Sequence, residues 1–499
     1  MARAFSAAIC EERCAFGRLD LIVLAAVAAV SCGGQSQADP GDKDDAGSAP
    51  VQDAAPELEP AYSGPARGVS ITRVALYQGV EVTLVENGAA PVAPQSPIVH
   101  GRDAMLRVFV DVESGFIARE FRARLDLGNG PPLEVVQRIA GDSDPFRLTS
   151  TINFMLPGEL VASEVRWSVA IEESRPTRSA KGSSEGSRFP RDGFTSFTSE
   201  TPGESLRVML VPFRYDADGS ARVPDTGIAT VEDYRDRLLG MFPVPSIEIS
   251  VHEPAPLAFR IAPSGDGWEQ LLQTVLELRQ ADGAPQNAYY YALVDPAEAW
   301  QKYCFSEDGS GCIFGLAPLA EANQEWARGG AGVGFGNSGI DTMAHELGHA
   351  LGRNHAPCRT PTFDPAFPYS DGKIGVRGYD TVRRTLHEPD STFDLMGYCD
   401  PRWVSDYTFR GLFERIGYVN SLASFGDAPA RPRRYRFVSV DAQGVGTLGR
   451  TVTLQAPPLG EQRSVPVRSS TSTSRSPGTV SGTFVPYGDL PGGLLVAPI

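Results

Sequence analysis

Residues 345–355 read His-Glu-Leu-Gly-His-Ala-Leu-Gly-Arg-Asn-His, and the placing of three histidines, one glutamate and one glycine within this stretch decides how the surrounding chain must fold. The whole chain has only six histidines, so half of them stand here. Each residue of an α-helix turns roughly 100°, which puts His345 and His349 one turn apart on one face, where two imidazole nitrogens can meet a single metal ion. Glu346 lies one position along the same turn, too far round to be a ligand beside them but able to reach a water at the metal. Gly352 tolerates a positive φ, so the helix can end in a sharp turn that returns His355 to the same ion. Three protein nitrogens and one water make an open tetrahedral arrangement, the catalytic kind of zinc site. Zinc there would bring the water's pKa to roughly 7, and Glu346 would take the proton as the water attacks a carbonyl. A bare HExxH recurs by chance in unrelated helices, whereas the extended form is far more restrictive.

The flanks are consistent with a helix. Asp341 precedes Thr342-Met343-Ala344, and as an N-cap its carboxylate can accept a bond from a free N–H of the first turn. Upstream, residues 329–339 (GGAGVGFGNSG) alternate glycine with apolar residues. They read as an exposed edge strand to which an extended peptide could add itself, with a plain loop as the alternative.

HExxHxxGxxH resembles the zinc signature of the metzincin metalloendopeptidases. Members of that clan carry a methionine turn beneath the zinc ligands, and Asp394-Leu395-Met396-Gly397-Tyr398 fits it with Met396 as the turn residue. Tyr398 stands two positions on, like a tyrosine of the astacin-like and serralysin-like branches that binds zinc or stabilises the oxyanion. Residues 367–372 (FPYSDG) and 403–407 (WVSDY) also resemble stretches flanking the site in bacterial secreted and lipoprotein metalloproteases, including mucin-degrading ones. The resemblance spans about residues 200–420. It implies one catalytic Zn²⁺ held by His345, His349 and His355, with Glu346 as general base and Tyr398 as a catalytic partner. One departure concerns latency: many metzincin precursors block the zinc with a propeptide cysteine, yet no cysteine lies between Cys32 and Cys304. If the enzyme is held latent, another group must do it.

The seven cysteines divide by region. Cys304 and Cys312 enclose a short polar loop, while Cys358 follows the third histidine and Cys399 the methionine turn. Both of the latter flank segments that must converge beneath one metal, so a Cys358–Cys399 disulfide would staple the ligand helix to the turn. A sulfur-ligated second metal is the alternative, although no CxxC spacing supports it. An even count in this region suits an oxidising compartment.

Residues 21–30 (LIVLAAVAAV) are apolar over a length well short of the roughly 20 residues that span a bilayer, and suit the core of a signal peptide. Ala29-Val30-Ser31-Cys32 resembles a bacterial lipobox, which makes residues 1–32 an export segment and Cys32 the lipidated residue, with ordinary secretion as the other reading. Residues 33–66 read as a flexible tether. A net charge of −16 implies no basic surface to neutralise phosphates, so nucleic acid is not expected as a partner. Membrane contact is expected only through the lipid anchor, and a monomer is expected.

Residues 67–175 alternate in short segments with turn signals between them and predict an all-β sandwich of immunoglobulin-like type. Residues 176–204 are polar without periodicity and read as a linker. Residues 205–425 alternate strands with helices, as an α+β metzincin-like catalytic domain with a mixed twisted sheet requires. Residues 430–499 read as a small β appendage. His100, His252 and His387 are given no role. Calcium at Asp380, Asp390 and Asp400 lacks an EF-hand or RTX spacing, so these read as solvated turn residues. The expected function is exported zinc endopeptidase acting on extracellular proteins or glycoproteins. A non-enzymatic surface lipoprotein or adhesin with a relic site, and a zinc exopeptidase, are the alternatives.

Overall fold

The computed structural model describes residues 61–91, 96–304, 311–424, 431–468 and 478–499. The export segment with Cys32, and the tether as far as residue 60, lie outside them. Among the described residues no helix is long and apolar enough to cross a membrane.

Two antiparallel sheets face each other in the first part of the chain. One contains Val69–Tyr77, Gly79–Glu86, Ala104–Val112 and Ile152–Leu156; the other contains Arg119–Asp126, Leu133–Ile139 and Glu164–Glu173. In Arg119–Asp126 the side chains of Phe121, Ala123 and Leu125 are buried while Glu120 and Arg122 are exposed, the period of two expected of a half-buried strand. They meet Leu76, Leu106, Val108 and Trp167 in one core.

The segment expected as a linker is instead part of this sandwich. Arg188–Phe189 and Thr195–Thr198 both pair with Glu164–Glu173. Strands of two and four residues are too short to display a period, so their sequence looked featureless. Two more strands come from far along the chain: Thr385–His387 pairs with Gly378–Asp380, which in turn pairs with Gly79–Glu86.

The central sheet has the order Ile247–Val251, Leu206–Tyr215, Ala288–Val294, Gly329–Val333, Gly315–Leu316, with only the last strand antiparallel. Ala288–Val294 is buried along its whole length, as a central parallel strand covered on both faces should be. The helices are α1 (Ile228–Met241), α2 (Trp268–Ala281), α3 (Trp300–Tyr303), α4 (Gly336–Ala350) and α5 (Asp406–Ser424). Tyr289, Tyr291 and Leu293 point to the core shared with α1, α4 and α5, while Tyr290, Ala292 and Val294 point to the core shared with α2. Helix α2 can cover that face because Trp268, Leu271, Leu272, Val275, Leu276 and Arg279 fall at helical spacing on one side.

The exposed edge expected at residues 329–339 is not found. Gly329–Val333 is wholly buried between Ala288–Val294 and Gly315–Leu316, and the rest of the stretch turns into α4. Its glycines mark close approach: a Cβ at Gly332 would collide with the Tyr291 hydroxyl, and one at Gly329 with Leu276.

The C-terminal segment is a closed barrel of Arg433–Val440, Gly446–Leu454, Glu461–Val467, Gly478–Pro486 and Gly493–Pro498. It is no loose appendage. Phe484, Leu495 and Ala497 fill the barrel interior, while the alternate residues Val485, Leu494 and Val496 enter the same core as Leu271 and Val275 of α2. Each such side chain contributes about 1.5–3 kcal/mol relative to exposure. Gln273 of α2 donates from Nε2 to the Ser439 hydroxyl at 2.8 Å, fixing the register of that contact.

Candidate metal centre

Helix α4 starts at Gly336, earlier than an N-cap at Asp341 would place it, and no side chain caps it. Asp341 lies inside the helix, where its Oδ1 accepts a bond from Arg237 Nε at 2.8 Å; the attraction to a cation on α1 outweighs its capping preference. His345, Glu346 and His349 occupy the last turns and are buried. Gly352 then takes φ +78°, and Arg353 N–H donates back to the Gly348 carbonyl at 2.9 Å. The chain returns so that His349 Nε2 lies 3.0 Å from His345 Nε2 and 3.1 Å from His355 Nε2.

The rings are held from behind. His345 Nδ1 meets the Leu395 carbonyl at 2.8 Å and His349 Nδ1 the Arg353 carbonyl at 2.7 Å. A carbonyl can only accept, so each ring carries its proton on Nδ1 and turns a bare Nε2 lone pair toward the other. Met396 is buried directly beneath the helix, in space left by Gly348, where a Cβ would meet its sulfur. Asp394 shapes the turn: its Oδ1 accepts from Met396 N–H at 2.8 Å and its Oδ2 from Ser405 N–H at 2.9 Å. The turn and the third ligand's segment are then joined by Ala356 N–H to the Met396 carbonyl at 3.0 Å and Tyr398 N–H to the Cys358 carbonyl at 2.9 Å. Cys358 and Cys399 are disulfide-bonded across the same junction, with Cα atoms 5.8 Å apart, and Cys304–Cys312 forms the second disulfide.

The expected open position is taken by a protein group. Asp489, on the barrel loop between Gly478–Pro486 and Gly493–Pro498, places Oδ1 3.1 Å from His355 Nε2 and 3.5 Å from His345 Nε2, and Oδ2 3.4 Å from His349 Nε2. One ligand atom from each of the four residues falls within 4.8 Å of every other. Tyr398 donates its hydroxyl to Asp489 Oδ1 at 2.6 Å and lies 3.2 Å from His355 Nε2. In sequence, Tyr487-Gly488-Asp489-Leu490 reads only as a turn, and nothing local ties it to residue 355. Gly488 is what lets this loop come so close, since a Cβ there would collide with the His349 ring.

The electrostatics follow from burial. It lowers the His349 pKa to about 3, so the imidazole stays neutral and keeps its lone pair. Burial, then the neighbouring Asp489 carboxylate, pushes Glu346 well above the usual carboxylate range. Burial works against the charge on Asp489 as well, yet positive charge in the imidazole cluster around it holds its carboxyl well below that range. Glu346 Oε2 and Asp489 Oδ2 are both buried without a hydrogen bond. Three imidazole nitrogens and a carboxylate oxygen converging on one point, with Glu346 Oε2 and Asp489 Oδ2 left unpaired beside them, are a donor set suited to a cation. Tetrahedral zinc with nitrogen ligands at roughly 2.0–2.1 Å separates those nitrogens by about 3.3 Å. The separations of 3.0 and 3.1 Å need only a slight opening to reach it, so these four residues fit a metal ion.

Asp380, Asp390 and Asp400 do not converge, and the His/Asp group is the only such cluster among the described residues. Asp380 is not a solvated turn residue: it is buried and accepts N–H bonds from Val382 and Arg383 at 2.9 Å. His387 stacks on Trp403 with ring centroids 4.0 Å apart, a packing role. No described protein family matches the chain, and no curated protein matches it either.

Proposed function

We propose that this chain is an exported zinc-dependent endopeptidase of metzincin type, acting on extracellular proteins or glycoproteins. The observation that carries the reading is Glu346: a buried carboxyl with a hydrogen-bond-free oxygen, one residue from His345 and near enough to the Asp489 carboxylate for that charge to add to the effect of burial in raising its pKa. A site built only to hold an ion has no use for such a group. When bound, zinc would supply Lewis acidity toward a carbonyl and bring the pKa of a water to roughly 7.

The chain's own groups do the rest. Glu346 Oε2, which no hydrogen bond engages, can take the proton of the attacking water and then hand it to the departing amine. Tyr398, once its hydroxyl is not engaged by Asp489, can donate to the oxygen on which charge develops. The buried surroundings of the three imidazoles strengthen these interactions by excluding water. Two formed disulfides agree with an oxidising location, and Cys32 with a lipid anchor there.

A second reading is favoured by Asp489: four protein ligands are the pattern of a structural zinc site, in which case the chain is a surface binding protein. The deciding experiment offers an end-blocked, quenched-fluorescent peptide library to the full chain and to its Asp489→Ala variant, with and without chelator, beside Glu346→Ala of measured zinc content. The expected result is chelator-sensitive cleavage that disappears in the zinc-loaded Glu346→Ala chain. No cleavage by either of the first two at one equivalent of zinc would leave the binding-protein reading. Blocked ends also separate an endopeptidase from an exopeptidase.

A further inference from the structure

The barrel loop that delivers Asp489 does more than supply an oxygen. Gly315–Leu316 forms the last strand of the central sheet, and the chain continues from it as Ala317-Pro318-Leu319. Leu319 N–H donates to the Pro486 carbonyl at 2.9 Å, Gly488 N–H donates to the Ala317 carbonyl at 2.9 Å, and Pro318 and Tyr487 lie opposite each other in an antiparallel bridge. The loop is thus joined to the chain just beyond the sheet's last strand by an antiparallel bridge. An extended peptide docking on that edge would need the same two groups, Ala317 C=O and Leu319 N–H. One residue beyond this ladder, Asp489 reaches the three imidazoles and also engages the Tyr398 hydroxyl. Glu346 sits across from it, in room provided by Gly315, where a Cβ would strike the carboxyl. The water that Glu346 would deprotonate and the peptide that it would cleave therefore both compete with a single loop.

We infer that the Pro486–Asp489 segment is a built-in pseudosubstrate: it occupies the peptide-docking edge through its backbone and the fourth metal position through Asp489, holding the site closed until the loop is displaced. The inference rests on the metallopeptidase reading for what the closed site would otherwise do, but not for the contacts themselves. The plug is well seated. Tyr487 is buried in the core shared by α2 and the sheet, Leu490 packs against the same core, and the flanking strands belong to the barrel. Because the loop is tethered, it acts at an effective concentration in the millimolar range or above, which a dilute substrate of ordinary affinity does not overcome. In place of a propeptide cysteine, the blocking ligand is a carboxylate supplied from the barrel.

The test uses the full chain loaded with cobalt(II), whose visible absorption reports its ligands without any turnover. Wild type, Asp489→Ala and the near-isosteric Asp489→Asn are each titrated with acetohydroxamic acid. The expected result is a wild-type spectrum that does not respond at concentrations that shift the spectra of both variants, together with at least a tenfold rise in peptide cleavage in the variants. A wild-type spectrum that responds as the variants do overturns the plug, whatever the activity. So does a chain that binds no cobalt. Variants that open spectroscopically yet cleave nothing uphold the plug and defeat the peptidase reading instead. If Asp489→Ala does not fold, Asp489→Asn, which keeps the side-chain shape, decides alone.

Discussion

Replacing Cys358 and Cys399 together by alanine removes a cross-link that closes a separation of 41 residues, against 8 for Cys304 and Cys312. In the chain-entropy description the longer loop constrains the unfolded state more, and these separations correspond to about 3.9 and 2.5 kcal/mol at 25 °C. Loss of the Cys358–Cys399 bridge should therefore cost about 1.5 kcal/mol more than loss of the other. The structure adds a second difference. The Cys358–Cys399 bridge joins the segment that carries His355 to the turn that carries Met396, and Tyr398 N–H to the Cys358 carbonyl is the adjoining bond. Freeing that junction loosens His355 and the Leu395 carbonyl that orients His345, so zinc affinity should fall roughly 10- to 100-fold, the range seen when groups supporting metal ligands are lost. The Cys304–Cys312 bridge follows α3 in the chain and does not join the segment of His355 to the turn of Met396, so its removal should leave affinity within a factor of about three of wild type, a change near the RT-scale error of such titrations. Urea unfolding of the chelated chains reads the first quantity, and competition with a chromophoric zinc chelator reads the second. Equal losses of stability, or an unchanged zinc affinity after the Cys358–Cys399 bridge is removed, would refute the reasoning.

Three other outcomes are expected. His349→Ala should leave the chain with little zinc after dialysis, and an unchanged zinc content by elemental analysis would show the ligand set to be wrong. Burial holds His349 at about 3 and His387 at about 4, both below the unfolded value, so protonation favours the unfolded chain; the contribution of these two groups to metal-free stability should be full above about pH 6.5 and decline as pH falls toward those values. Thermal midpoints at pH 7.5 and 5.5 should show a smaller drop for His387→Gln than for wild type, and equal drops would count against the His387 part. Gly352→Ala forces a side chain to φ +78° and against the Arg415 guanidinium, so it should cost about 1–2 kcal/mol or more and weaken zinc binding, with a neutral result in urea unfolding telling against the turn's role.

What the chain discloses without coordinates is what lies close together in sequence. His345, Glu346, His349 and His355 span little more than three helical turns, so helix period and one glycine are enough to bring them to one point. The strands and helices of residues 206–294 were likewise legible, because a buried strand and an amphipathic helix each carry their own period. Asp489 was not, since it stands 134 residues from His355 and is brought there by a barrel whose loop has no pattern of its own. The glycines of residues 329–333 misled for a related reason: their absence of side chains signals exposure in a loop but close packing in a core, and only Tyr291 and Leu276 decide between them. Asp341 misled because its partner, Arg237, is on another helix.

Gly378–Asp380 and Thr385–His387 leave the chain between the third ligand and the methionine turn to complete the sheet that begins at Val69, and Trp403 donates from Nε1 to the Gly79 carbonyl at 2.7 Å. The N-terminal sandwich is consequently not a bead that a lineage could lose, duplicate or trade without consequence. A descendant deprived of residues 67–175 would carry a hairpin without its neighbouring strand and a Trp403 indole without the Gly79 carbonyl. Homologous chains are expected to keep or lose the two halves together.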